Sequence, residues 1–370
     1  MNATRLPASL RLWGYAEAVM PRSSSHPRRS SLAGHRAAGI LLGLVALAAA
    51  IVLGWPQLLD LQRAPLVAQA ISFRLPVAIG ATAILLLLLI PVLASRKARA
   101  VLGMTALVIA LFVASTVGVL FDRGLGAPLA ASDSPGSINI LSWNTRGDAP
   151  GSPSIAELAV EVGADVVVLP ETTEELGVEI AAQMSEAGSP MWVHTQTIDE
   201  DYKATSTTLL ISPDLGDYEV VTDRGDTSTL PTVIAVPVDG SGPTIIAAHP
   251  VSPTPGNMDA WKADLDWLAT QCTSNTIVAG DFNSTLDHLS GLGDGGSGQL
   301  GSCADAALAT NNGAVGTWTA GVPPLLGANI DRVMATPEWS VTGFEVIVSR
   351  DEAGSDHRPV FAQLSPSSLS

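Results

Sequence analysis

Cations are scarce over most of this chain. Residues 133–370 carry 7 Lys and Arg against 32 Asp and Glu, whereas residues 1–132 carry 12 against 3, and the whole nets −16. The acidic part has no basic run: Arg146, Lys203, Arg224, Lys262, Arg332, Arg350 and Arg358 stand singly. Tight non-specific binding to duplex DNA needs several phosphate contacts, so this composition disfavours it. Cysteine is nearly absent, and both residues, Cys272 and Cys303, lie in the acidic part. In an oxidising compartment they could form one disulfide; the alternative is two buried thiols. Internal repeats are lacking. The Gly-rich stretch from Gly291 to Gly301 is followed by no helix start with Lys-Ser/Thr, so it reads as a loop and not as a phosphate cradle.

Three apolar runs explain a hydrophobic fraction of 47%. The first extends from Ala37 to Trp55, the second from Leu75 to Ala94 and the third from Ala100 to Phe121, each about long enough to cross a bilayer. Pro76 and Pro91 lie near the ends of the second run, where a missing backbone donor costs least. A cleaved signal peptide is the alternative for the first run, but its length and the two runs behind it favour an uncleaved helix. No charge lies inside the spans, which argues against a transporter or channel.

Flanking cations set the expected orientation. Arg22, Arg28, Arg29 and Arg36 precede the first span, and Arg96, Lys97 and Arg99 occupy the link between the second and third. These segments are therefore expected on the cytoplasmic side, with everything after Phe121 outside. The expected organisation is a disordered cytoplasmic tail (1–35), a three-helix transmembrane anchor (36–121), a linker (122–136) and a folded domain (137–365).

The folded domain is patterned as α/β. Residues 137–144 alternate as a strand does, and 164–171 form a continuous β-branched run that reads as a buried strand ending at Glu171. Further strands are expected at 206–212, 232–238, 244–250, 276–283, 329–336, 340–348 and 358–364. Helical spacing marks 155–162 and 257–272, where Trp261, Leu265 and Leu268 share one face. Many strands with helices interspersed argue for paired sheets.

Several strands end on polar residues that a core would not select: Asn144, Glu171, His249, Asp281 with Asn283, Asp331, and Asp356 with His357. Singly, each reads better as a cap or a structural hydrogen-bonding group. Together they supply hard oxygen ligands suited to Mg²⁺, Mn²⁺ or Ca²⁺ and two histidines with acidic partners suited to proton transfer.

The motifs LSWN (141–144), LPE (169–171), AAHP (247–250), GDFN (280–283), IDRV (330–333) and SDHRPV (355–360) resemble the endonuclease/exonuclease/phosphatase superfamily over about residues 137–365. GDFN and SDHRPV are the specific elements. The resemblance implies a four-layer sandwich of two mixed β-sheets flanked by helices, here preceded by three transmembrane helices. It also implies a metal-dependent hydrolase acting on phosphoesters. Glu171 would be the principal Mg²⁺ ligand, Asn144 a ligand or its hydrogen-bonded neighbour, and Asp356 a second carboxylate near the metal. Asp281 would orient or deprotonate the attacking water, and Asn283 would hydrogen-bond a phosphoryl oxygen. His249 would touch the phosphate or the leaving oxygen, and Asp331 would hold His357 in one tautomer. Arg146 stands where the family often has an acidic residue, which leaves a cation able to contact phosphate. Pro170 precedes Glu171 where glutamine is common. Trp143, Trp192 and Trp318 are candidates for the cleft, although strand and loop tryptophans more often belong to the core.

The expected protein is thus a multi-pass membrane phosphodiesterase or phosphomonoesterase with its catalytic domain outside the cytoplasm. Its partners would be a phosphoester substrate (a phospholipid, a small molecule or nucleic acid) and the bilayer that holds the helices; no segment identifies a protein partner. Within the enzyme class a nuclease is the alternative. A catalytically silent, membrane-tethered binding domain is the rival from another class, and it predicts loss of a core position, whereas none is missing.

Overall fold

The computed structural model describes residues 32–129, 134–295 and 299–367. Most of the expected cytoplasmic tail, residues 130–133 of the expected linker and residues 296–298 of the Gly-rich loop lie outside the described residues. Three long apolar helices come first: α1 (Leu32–Gly54), α3 (Arg74–Ala94) and α4 (Arg96–Arg123), with the short α2 (Val67–Ile71) between the first two. Each long helix has the length and composition to cross a membrane. Helix α4 packs against both α1 and α3. Ser95 caps α4 by accepting from the Ala98 amide, and Pro91 is accommodated inside the last turn of α3.

The rest of the described chain folds as two six-stranded sheets. Strands β1 (Ile138–Ser142), β2 (Val166–Pro170), β3 (Trp192–Thr197) and β4 (Ser206–Ile211) join β11 (Trp339–Val346) and β12 (Val360–Pro366) in the order β11-β12-β1-β2-β4-β3. The second sheet runs β5-β6-β7-β8-β10-β9. Its strands are β5 (Tyr218–Val220), β6 (Val233–Pro237), β7 (Thr244–Ala248), β8 (Thr276–Asp281), β9 (Ala304–Asp305) and β10 (Asp331–Ala335). Parallel pairs (β1 with β2, β7 with β8) sit among antiparallel ones, so both sheets are mixed.

Alternation along the strands dictates the layering. On β2, Val166 and Val168 face the layer between the sheets, while Val167 and Leu169 face α5 (Gly151–Glu161) and α6 (Glu174–Glu186). On β7, Ile245 and Ala247 point inward, and Ile246 packs outward under Trp261, Leu265 and Leu268 of α7 (Met258–Gln271). Strands buried on both faces read as unbroken apolar runs, which is why 164–171 and 276–283 carried no polar face. The result is the four-layer sandwich that the resemblance implied. Strands β3, β5 and β9 and helix α6 were not anticipated, nor was the one-turn α8 (Ala306–Ala309). Cys272 and Cys303 are joined as a disulfide with 5.8 Å between their Cα atoms.

Register then sets the site. Strands β1, β2, β7 and β8 all end at one edge, and β10 begins there, because Asp331 pairs with Asp281 in the antiparallel β8–β10 ladder. Gly280, with φ +145°, is required at this edge, since a Cβ there would overlap the Ala248 carbonyl of β7.

Candidate active site

All eight of the sequence-nominated polar residues meet at that edge. Asn144, just past β1, donates its amide to Glu171 Oε1 at 3.1 Å and to Asp281 Oδ2 at 3.0 Å, joining the two sheets. Its Oδ1 accepts the Arg146 amide at 2.9 Å, so the side chain holds two carboxylates together. Glu171 adopts φ +58° and Asn283 φ +47°; non-glycine residues in this region cost strain and cluster at functional sites. Glu171 is partly exposed. Burial raises its pKa, against the Asn144 hydrogen bond and the nearby His357.

Asp281 is buried at the end of β8. Its Oδ1 accepts the Asn283 amide at 2.8 Å and its Oδ2 lies 3.9 Å from His357 Nε2. Asn283 spends its side-chain NH₂ on the Pro250 carbonyl at 3.0 Å and on Asp281 at 3.2 Å, so it would have to turn to reach a phosphoryl oxygen. His357 Nδ1 lies 3.0–3.1 Å from both oxygens of Asp331, which fixes its ring. Burial opposes charge on this imidazole, but the Asp331 and Asp281 carboxylates outweigh it and raise its pKa to about 10. Asp281 is pushed up to about 7 by burial, against His357 and with Asp331. The direction fixed by geometry is an imidazolium at His357.

His249 is fully buried beside Thr207, whose Oγ1 is 3.2 Å from Nδ1. Burial and the neighbouring His357 drive its pKa down to about 3, so its ring is neutral. Its Nε2 is buried with no hydrogen-bond partner. Asp356 accepts the Trp318 indole N–H at 3.1 Å and faces Arg146 at 3.7 Å. It stands apart from the tightest group: Asp281, Asp331 and His357 offer ligand atoms within 4.8 Å of one another.

The tryptophans divide. Trp143 is buried in the core and donates to the His357 carbonyl at 2.9 Å; Trp192 lies exposed on the edge strand β3; Trp318 borders the site. Three supporting residues escaped the sequence reading. Ser355 accepts the His357 amide at 3.0 Å and donates to the Asn144 carbonyl at 2.6 Å. Thr207 meets His249 from β4, and Thr317 accepts the Asp331 amide at 3.0 Å. Nothing in the spacing of Thr207 and Thr317 marks them; Ser355 opens the SDHRPV motif, but no role was read for it there. Arg332 and Arg358 are fully buried, paired with Asp305 and Asp351. They are therefore lost to any nucleic-acid surface.

Fold and site define a class, and a family comparison agrees. The endonuclease/exonuclease/phosphatase family model matches residues 141–357. The chain belongs to that family. Among solved structures it is similar to an endonuclease/exonuclease/phosphatase from Beutenbergia cavernae (18% identity, TM-score 0.46, covering 63% of this chain and 72% of that one). It is also similar to D. rerio TDP2 complexed with single strand DNA product (17%, TM-score 0.48, 63% and 100%) and to the human Nocturnin catalytic domain with bound sulfate (15%, TM-score 0.45, 64% and 97%). No curated protein matches the chain.

The donor set fits a divalent cation. Among the described residues, four carboxyl groups (Glu171, Asp281, Asp331 and Asp356) face only His357 and Arg146 as cations, and two of them converge on one amide. Oxygen-rich, acid-surplus sites of this kind suit hard cations. Members of this family act on phosphoester bonds and depend on divalent metal.

Proposed function

We propose that this chain is a membrane-anchored, extracytoplasmic phosphoesterase that hydrolyses a phosphodiester or phosphomonoester with a divalent ion, Mg²⁺ by preference. The observation that carries the reading is the continuous array Glu171–Asn144–Asp281–His357–Asp331. In this reading Glu171 is the principal metal ligand, with Asn144 steadying it and Asp356 a second carboxylate nearby. When bound, the ion neutralises phosphoryl charge and stabilises the leaving oxygen. Asp281 orients the attacking water and accepts its proton. Asp331 holds the His357 imidazolium, which offers Nε2 toward phosphate charge as it develops. His249 meets the phosphate through its unpartnered Nε2, and Asn283 hydrogen-bonds a phosphoryl oxygen after its amide turns.

Two observations support the extracytoplasmic side: the cation bias around the spans and the bonded cysteine pair, which persists in oxidising compartments. The acidic surface, with Arg332 and Arg358 withdrawn from it, favours a lipid or small phosphoester over nucleic acid. The test is dialysis of the purified chain against a chelator, followed by Mg²⁺ or Mn²⁺, with a soluble chromogenic phosphodiester as substrate. Activity should vanish and return; turnover unaffected by chelation would sink the mechanism.

A further inference from the structure

The ends of the anchor meet the catalytic domain on the side of the active site. The C-terminus of α1 (Gly54), the N-terminus of α3 (Arg74) and the C-terminus of α4 (Arg123) converge: Arg74 reaches the Gly54 carbonyl at 3.5 Å, and Arg74 and Arg123 both grip Asp287. The connector 55–73 lies between these helix ends and the loops that carry the catalytic residues. Gln69 donates to the Pro253 carbonyl at 2.5 Å, in the loop that leaves His249. His288, in the loop that leaves Asn283, hydrogen-bonds the Ala68 carbonyl at 3.0 Å, and Ala68 is itself part of the core under α7. Phe73, one residue before α3, sets its ring 6.1 Å from that of Trp318. Trp318 in turn bridges to His357 through the backbone and donates to Asp356.

The outward face of the same connector is apolar but for Asp60. Leu66 is 81% exposed, Trp55 64%, Leu58 62% and Leu59 56%. Beside three apolar helix ends, such residues belong in the headgroup and upper acyl region of a bilayer. The wall of the site formed by Trp318 is therefore one ring away from a segment seated in the membrane surface. The buried clasp at Asp287 holds that spacing.

We infer that the substrate is a bilayer lipid carrying a phosphodiester headgroup, taken from the leaflet on which the domain rests. This rests on the phosphoesterase reading. The attacking water's oxygen bonds to phosphorus and the P–O bond to one alcohol breaks. One water proton stays on the phosphate oxygen and the other ends on the released hydroxyl, leaving a monoester and an alcohol. A lipid headgroup arrives at the height of Trp318 by lateral diffusion, whereas a long nucleic acid would have to enter between domain and membrane.

The experiment uses the full chain reconstituted with Mg²⁺ into vesicles of phosphatidylcholine, phosphatidylethanolamine or phosphatidylglycerol. It compares headgroup or phosphate release from them with hydrolysis of the matching acyl-free glycerophosphodiesters and of a soluble chromogenic diester. Confinement of enzyme and substrate to one surface should favour at least one bilayer lipid over its acyl-free counterpart by at least about tenfold. The variant Leu58→Glu/Leu66→Glu should cut the vesicle rate about tenfold and leave the soluble diester rate within about twofold. Soluble turnover with no bilayer preference, or a variant that lowers both rates alike, overturns the inference. Hydrolysis of nothing, in Mg²⁺ or Mn²⁺, removes the phosphoesterase reading and this one with it.

Discussion

Two clusters of buried charge flank one loop, and they are built on opposite terms. At Asp287 two guanidinium groups enclose one carboxylate. Arg74 donates Nε and Nη2 at 2.7 and 2.6 Å, Arg123 donates Nη1 and Nη2 at 2.9 and 2.8 Å, and Gln57 adds a fifth bond at 3.0 Å. At Asp281, six residues earlier, carboxyl groups outnumber cations, Glu171 and Asp356 reach solvent, and His249 Nε2 has no partner. Bidentate forks that saturate an anion make a rigid joint. An acid surplus with open valences makes a place for a cation and a reacting group. The first cluster fastens the long apolar helices to the domain; the second is arranged for chemistry.

The largest effect should come from breaking the second cluster. His357→Ala is expected to lower kcat for a soluble phosphodiester by about 10³, and Asp331→Asn by about 10². The double variant should be little worse than His357→Ala, because the two act as one unit. Circular dichroism should show both folded. A His357→Ala enzyme within about tenfold of wild type would mean that the array is structural after all, and the contrast between the clusters would collapse.

Breaking the first cluster should cost stability and spare chemistry. Asp287→Ala leaves the buried Arg74 and the half-buried Arg123 without their anion, a defect worth about 3 kcal/mol. Denaturant unfolding should register that loss, and protease should cleave the connector 55–73 sooner. Turnover of the soluble diester at low temperature should stay within about twofold. A variant with unchanged stability would show that the clasp does not carry the docking.

Strand-end polar residues were legible in the sequence because buried strands make them conspicuous: Glu171 closes a run of apolar residues, and Asp281 closes another. The three long apolar helices were legible for the same reason, as uninterrupted apolar length. The clasp was not, because Arg74 and Asp287 are 213 residues apart and Gln57 and Asp287 are 230 apart; each alone reads as an ordinary polar residue. Arg332 and Arg358 were counted with the surface cations, since spacing does not say that Asp305 and Asp351 fold over them. Strand β3 escaped because its sequence, WVHTQT, lies at a sheet edge and needs no apolar face. Trp318 was among the tryptophans named for the cleft, but its contact with Phe73 was not legible, because a ring pair between a long loop and a helix start leaves no periodic trace.

A finer separation of the two clusters lies in pH, measured without metal. Burial disfavours the Asp287 carboxylate, but Arg123 and Arg74 outweigh it and hold the group below the usual carboxylate range. A depressed pKa contributes stability that is complete above the unfolded value, about 4, and fades as the pH falls below it. His357 is opposite in sign. Raised to about 10 by Asp331 and Asp281 against the cost of burial, it contributes stability that is complete below about 6.5 and is lost as the pH climbs through its folded value. The Tm difference between wild type and Asp287→Asn should therefore shrink toward pH 3, while that between wild type and His357→Gln should shrink toward pH 10. Each kcal/mol corresponds to about 2–4 °C in a domain of this size. Differences that shrink at the same end of the scale would show that the clusters share one electrostatic origin. Differences that part would mean that acid loosens the apolar helices from the domain first and alkali the site.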